Sequence, residues 1–113
     1  MNTIKNSVRL IGNLGAAPTI VNTEKGTKIA RVSIATSDYY YNDKKEKVTE
    51  TYWHNLVFFG KIAELAEKIL DKGKEVAIEG KLTNRSYEKD GEKKYMTEII
   101  VNEFNVFSKE VPA

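Results

Sequence analysis

The chain has 113 residues, 41% hydrophobic and 30% charged, with a formal net charge of +2. These values suit one folded domain with a single core, burying roughly two-thirds of its unfolded surface, and argue against wholesale disorder. The absence of cysteine removes disulfides, thiolate zinc sites and cysteine nucleophiles together, and no apolar run reaches the ~18 residues of a membrane-crossing helix. Met1–Asn6 carries no apolar stretch behind a basic start, so no signal peptide is expected, and the chance glycosylation pattern Asn84-Arg85-Ser86 is set aside.

Residues 7–14 read as a first strand, with Val8 and Leu10 on one face and Gly12 and Gly15 marking a bulge and a turn. Residues 28–36 alternate, Ala30, Val32 and Ile34 facing one way and Arg31 and Ser33 the other, as in a half-buried strand. Residues 39–50 are expected to form a long loop or hairpin tip. Residues 51–59 form a third strand whose two faces, Tyr52/His54/Leu56/Phe58 and Trp53/Asn55/Val57/Phe59, both carry large apolar groups. Both faces therefore need cover from core, a second subunit or a ligand.

The spacing of Ile62, Leu65, Ala66, Ile69 and Leu70 predicts one amphipathic helix over about 61–71 that packs on the core, with Lys72 and Gly73 as a basic last turn and a left-handed stop. Residues 74–80 give a fourth strand with Val76 and Ile78 inward. A hairpin of 81–88 and 94–101 closes around Lys89-Asp90-Gly91-Glu92, and 104–107 add a short last strand. A small all-β barrel of five strands with one helix between the third and fourth is the expected architecture, the topology of an OB-fold.

Several segments add a resemblance to this pattern. Gly12-Asn13-Leu14-Gly15 with Pro18, Ala35-Thr36-Ser37, Trp53-His54, Phe59-Gly60-Lys61 with Ala63-Glu64, Lys72-Gly73 and Glu79-Gly80-Lys81-Leu82 follow one another in the order and spacing of bacterial single-stranded DNA-binding proteins. The chain resembles that family from about residue 7 to residue 107. The resemblance implies an OB-fold domain over 1–108, assembly into a homo-tetramer, and sequence-independent binding and protection of single-stranded DNA in replication, recombination and repair. It implies a cytoplasmic, nucleoid-associated location, no membrane, no cofactor, no metal and no catalytic residue. The family's stacking aromatics fall on Tyr40, Trp53, Phe59 and Tyr87, and its subunit contact on His54. Val21, Asn55, Asp71 and Thr83 stand where well-known members carry Arg or Lys. Where the family continues through a flexible tail to an acidic tip that recruits replication and repair proteins, this sequence has a short remnant, 109–113.

A net charge of +2 is too small for bulk attraction to nucleic acid, so local cations and stacking must carry any binding. Aromatic rings stack on any unpaired base, in the range of roughly 1–3 kcal/mol per base known for single-strand-binding OB-folds, the class this chain resembles. Lys61, Lys72, Lys74, Lys81 and Arg85 are the candidate phosphate partners. Each residue also has a plainer reading. Trp53 suits a core or interface position, Tyr40 sits between Tyr39 and Tyr41 so the stacking role can slip by one, Tyr87 can pair across its hairpin with Tyr95 or a neighbour, and the lysines can simply be solvated. Lys61 after Gly60 lacks the upstream glycines of a phosphate loop.

The competing functions are a metal-dependent nuclease, which needs clustered carboxylates beside arginines; an OB-fold module for RNA or protein lacking the partner-recruiting tail; and a pure oligomerisation domain. The acids are scattered among lysines, and Arg9, Arg31 and Arg85 are the only arginines, which disfavours the first.

Overall fold

The computed structural model describes residues 5–107, so Ser108 and the 109–113 remnant lie outside it. Six strands and one helix follow in the order β1 (Val8–Leu14), β2 (Thr19–Asn22), β3 (Lys28–Tyr41), β4 (Lys47–Phe59), α1 (Lys61–Ile69), β5 (Glu75–Lys89) and β6 (Glu92–Phe107). The strands are ordered β1-β5-β6-β4-β3-β2, and β1 pairs again with β3. That second pairing closes β1, β5, β6, β4 and β3 into a five-stranded barrel, with β2 added outside as an edge strand on β3. Counted along the chain with β2 left out, the helix lies between the third and fourth barrel strands, as expected for an OB-fold.

Closure is made at the end of β1. Asn13 pairs with Ala35 of β3 as well as Glu75 of β5. Gly12 sits at this crossing, where a Cβ would come within 2.1 Å of the Ala35 carbonyl oxygen, so a side chain there would hold the strands apart. The bulge expected in this region lies elsewhere, at Glu79/Gly80 of β5.

Period-two alternation decides which side chains fill the barrel. Ala30, Val32 and Ile34 of β3, Leu56 and Phe58 of β4, Val76 and Ile78 of β5 and Ile99 and Val101 of β6 form one buried cluster. Phe58 is its largest fully buried side chain and meets Phe104 edge-on, ring centroids 5.3 Å apart. The helix covers one end through Ala63 and Ala66, with Ile62 partly buried, and Leu70, the residue that caps it, is buried beside them. Leu65 and Ile69, expected in the core stripe, are exposed, because the buried face turns through Ala63 instead.

Four local expectations change. The polar segment after residue 39 is mostly strand: β3 runs to Tyr41 and β4 starts at Lys47. Only residues 42–46 turn, held by the Asn42 side chain, whose Oδ1 accepts from the amides of Lys44 (2.9 Å) and Glu46 (3.0 Å). Residues 74–80 and 81–88 are one continuous strand, as are 94–101 and 104–107, because the bulge lets β5 bend without breaking its ladder. The helix stops at Ile69, and Gly73, with φ 85, belongs to a separate turn in which the Lys74 amide donates to the Asp71 carbonyl. The Asp90-Gly91 turn is as expected, both residues having positive φ.

Candidate nucleic-acid interface

The outward row of β4 is Trp53, Asn55, Val57 and Phe59, facing away from buried Leu56 and Phe58. Trp53 is 61% exposed and Phe59 42%. A ring of that size left in water on a strand whose other face is core is not doing packing work. Trp53 rests on Gly15: a Cβ there would lie 2.6 Å from the indole Cζ3, so only glycine leaves room for the ring at this seat.

The same end of the barrel holds two candidate lysines. The Leu14 amide donates to the Lys74 carbonyl (3.0 Å), the Gly73 amide donates to the Leu14 carbonyl (2.9 Å), and Asn13 Nδ2 donates to the Gly73 carbonyl (3.2 Å). The turn carrying Lys72 and Lys74 is thereby fixed one residue from Gly15, the seat of Trp53. Lys61 opens the helix two residues after Phe59, so it flanks the other end of the row.

Across the barrel, β4 runs parallel to β6 with Val57 opposite Ile100, and β6 pairs with β5 with Ile100 opposite Lys81, Glu98 opposite Thr83 and Met96 opposite Arg85. Lys81, Thr83, Arg85 and Tyr87 therefore share the outward parity of Trp53 and Phe59. Tyr87 is 38% exposed; its cross-strand partner is Lys94, while Tyr95 pairs with Ser86 on the opposite face. Tyr40 is 50% exposed, but its register partner is Val48, which puts it on the His54 face of the β3–β4 arm. Tyr39 and Tyr41, opposite Thr49 and Lys47, take Trp53's parity. Their rings meet edge-on at 6.0 Å, and Lys47 Nζ lies 4.5 Å from the Tyr39 centroid. Of the sequence-predicted residues, the fold brings Trp53, Phe59, Lys81, Arg85 and Tyr87 to one face, sets Lys61, Lys72 and Lys74 at its ends, and leaves Tyr40 on the reverse side of the arm.

His54 lies half-buried on the inward parity, its Nε2 hydrogen-bonded to Thr36 Oγ1 at 3.0 Å. On the same side of the arm the Tyr52 hydroxyl donates to the Glu50 carboxylate. That bond and the carboxylate's charge push the Tyr52 phenol above its ordinary pKa. Among the described residues no group of three or more His, Cys, Asp or Glu side chains is placed to hold a metal ion.

Sequence reasoning missed two residues on the outward face. Glu98 is 7% exposed, the one buried charged side chain among the described residues. It accepts from Arg85 Nε (3.1 Å) and Nη2 (3.4 Å) and from Arg31 Nη1 (3.4 Å). Arg31 stands opposite Val57, in the centre of the row. The outward parity of Glu98 between Met96 and Ile100 was legible; its partners, 13 and 67 residues away, were not.

The model of the single-strand binding protein family matches residues 5–107, all of the barrel. The chain belongs to the single-strand binding protein family. Within that family it is 42% identical over 106 residues to single-stranded DNA-binding protein 1 of Xylella fastidiosa, covering 92% of this chain and 78% of that one. It is 41% identical over 102 residues to the single-stranded DNA-binding protein of Xanthomonas campestris pv. campestris, covering 89% of this chain and 59% of that protein. Among solved structures, the Plasmodium falciparum SSB complex with ssDNA superposes with a TM-score of 0.81 at 32% identity, over 95% of this chain and 97% of that one.

Proposed function

We propose that this family member binds single-stranded DNA without regard to base identity, holding and protecting the strand rather than altering it. The observation that carries this reading is the exposed pair Trp53 and Phe59 on the outward row of β4, flanked by Lys61, Lys72 and Lys74 and continued across β6 to Lys81, Arg85 and Tyr87. Stacking accepts any unpaired base, whereas a duplex hides its base faces. The cations then release counterions from phosphates, a contribution that weakens with salt.

The 5–107 barrel is the DNA-binding domain in this reading, and Tyr39 and Tyr41, on Trp53's face, add a stacking surface on the arm. The protein works as a homo-tetramer with His54 at a subunit contact, in the cytoplasm with the nucleoid, in replication, recombination and repair. It carries no catalysis of its own. Replication and repair proteins are partners only if the full-length protein carries a C-terminal acidic tail.

Equilibrium binding of a labelled oligo-dT, with duplex and oligo-rU competitors at several salt concentrations, tests the reading. Oligo-dT is expected to bind, duplex to compete poorly, and RNA to compete less well than DNA of equal length. If Lys61, Lys72, Lys74, Lys81 and Arg85 each neutralise one phosphate, log K falls with log salt at a slope of about −3.5, five times −0.7. Equal competition by duplex would refute stacking on exposed bases.

A further inference from the structure

Glu98 is an acidic side chain on a face that this reading assigns to a polyanion. Bulk electrostatics makes it unfavourable there, yet it is buried and fully engaged. Its two partners are not buried: the Arg31 and Arg85 side chains are 40% and 43% exposed. The carboxylate takes one Arg31 nitrogen and two Arg85 nitrogens. Nε and Nη2 of Arg31 and Nη1 of Arg85 are left for an outside acceptor.

The position of this group fits a strand laid along β4. Trp53 and Phe59 are six residues apart on one strand, so at about 3.3 Å per residue they stand about 20 Å apart. Arg31 starts opposite Val57 on one side of β4 and reaches Glu98 on β6 on the other side, so its guanidinium crosses the row midway between the two rings. Beside it lies a groove of about 260 Å³ lined in part by Arg31, Ser33, Asn55, Met96 and Glu98.

We propose that Arg31 and Arg85 form a backbone-phosphate site between the two stacking positions, and that Glu98 is its positioning residue. An unrestrained arginine gives up much rotamer freedom when it grips a phosphate. Tethered to a buried carboxylate, both guanidiniums are fixed before the strand arrives, and their free edges point where a phosphate between two stacked bases passes. The proposal rests on the single-strand-binding reading above.

The test uses Glu98→Gln, Arg31→Ala and the double variant, each bound to labelled oligo-dT across a salt series, with thermal unfolding as the folding control. Glu98→Gln removes a negative charge from the face, so bulk electrostatics requires tighter binding. Positioning requires weaker binding. Arg31→Ala is expected to make the salt slope shallower by about 0.7 with Glu98 present, and to change it little in the Glu98→Gln background. Tighter or unchanged binding by folded Glu98→Gln, or the same Arg31→Ala effect in both backgrounds, overturns the proposal. If Glu98→Gln does not fold, Arg31→Ala decides alone: Glu98 keeps its two bonds from Arg85 there, and an unchanged slope overturns the site. Wild-type protein that fails to bind oligo-dT at all would sink the underlying reading instead.

Discussion

Replacing Trp53 with alanine separates binding from packing, because its neighbour Phe58 supplies the opposite case on the same strand. Trp53 is 61% exposed, and its ring lies on Gly15 outside the barrel. Its removal opens no core cavity, so stability is expected to change by about 0.5 kcal/mol or less, as for surface substitutions generally. Affinity for single-stranded DNA is expected to fall by roughly 1–3 kcal/mol, about 5- to 150-fold, the range for stacked bases on single-strand-binding OB-folds, the class to which this chain belongs. Phe58 is 0% exposed and packs edge-on against Phe104, so Phe58→Ala is expected to cost about 3–5 kcal/mol of folding stability. Urea unfolding gives the stability of both variants. Anisotropy of a labelled oligo-dT gives affinity without relying on the missing indole. The reasoning is refuted if Trp53→Ala binds like wild type, or if it loses as much stability as Phe58→Ala.

Two further outcomes follow from the β3–β4 arm. Tyr39 and Tyr41 share Trp53's face while Tyr40 lies on the other, so Tyr39→Ala and Tyr41→Ala should each weaken oligo-dT binding more than Tyr40→Ala; a larger loss at Tyr40 would show that the strand wraps the reverse side of the arm. The Glu50 carboxylate holds the Tyr52 phenol protonated above its ordinary pKa of 10.0. A raised folded pKa stabilises the protein fully below the ordinary value, and that stabilisation is lost as pH rises through the raised one. In an alkaline absorbance titration of the six tyrosines, Glu50→Gln is therefore expected to move one ionisation down to the ordinary range, and an unchanged titration would remove Glu50 as the cause.

The sequence showed most of the barrel because alternation is local. Ala30/Val32/Ile34 and Val76/Ile78 are inward as their spacing demands. It hid β2, whose four residues carry too short a pattern, which pairs with β3 alone and which sets only Ile20 against the core. It also hid the length of the arms: Tyr39–Tyr41 and Lys47–Glu50 lie beyond the core, where no burial imposes alternation and the cross-strand ladder alone makes them strand. The site divided in the same way. The shared outward parity of Trp53 and Phe59 was legible on one strand. Which of Tyr39, Tyr40 and Tyr41 shares that parity is a question of register, fixed by the five-residue turn around Asn42. Arg31 and Glu98 come from strands with β4 between them, so their meeting belongs to the closed barrel and to no segment of the chain.

The central claim is that a single strand lies against the outward face of β4, and the chain's one tryptophan reports on it directly. Titrating the protein with unlabelled poly-dT at low salt, with duplex DNA as the control, should quench Trp53 fluorescence strongly for the single strand and little for the duplex. Fluorescence left unchanged by poly-dT, with no complex detected by filter binding at the same salt, would contradict the account and return Trp53 to an interface between protein surfaces.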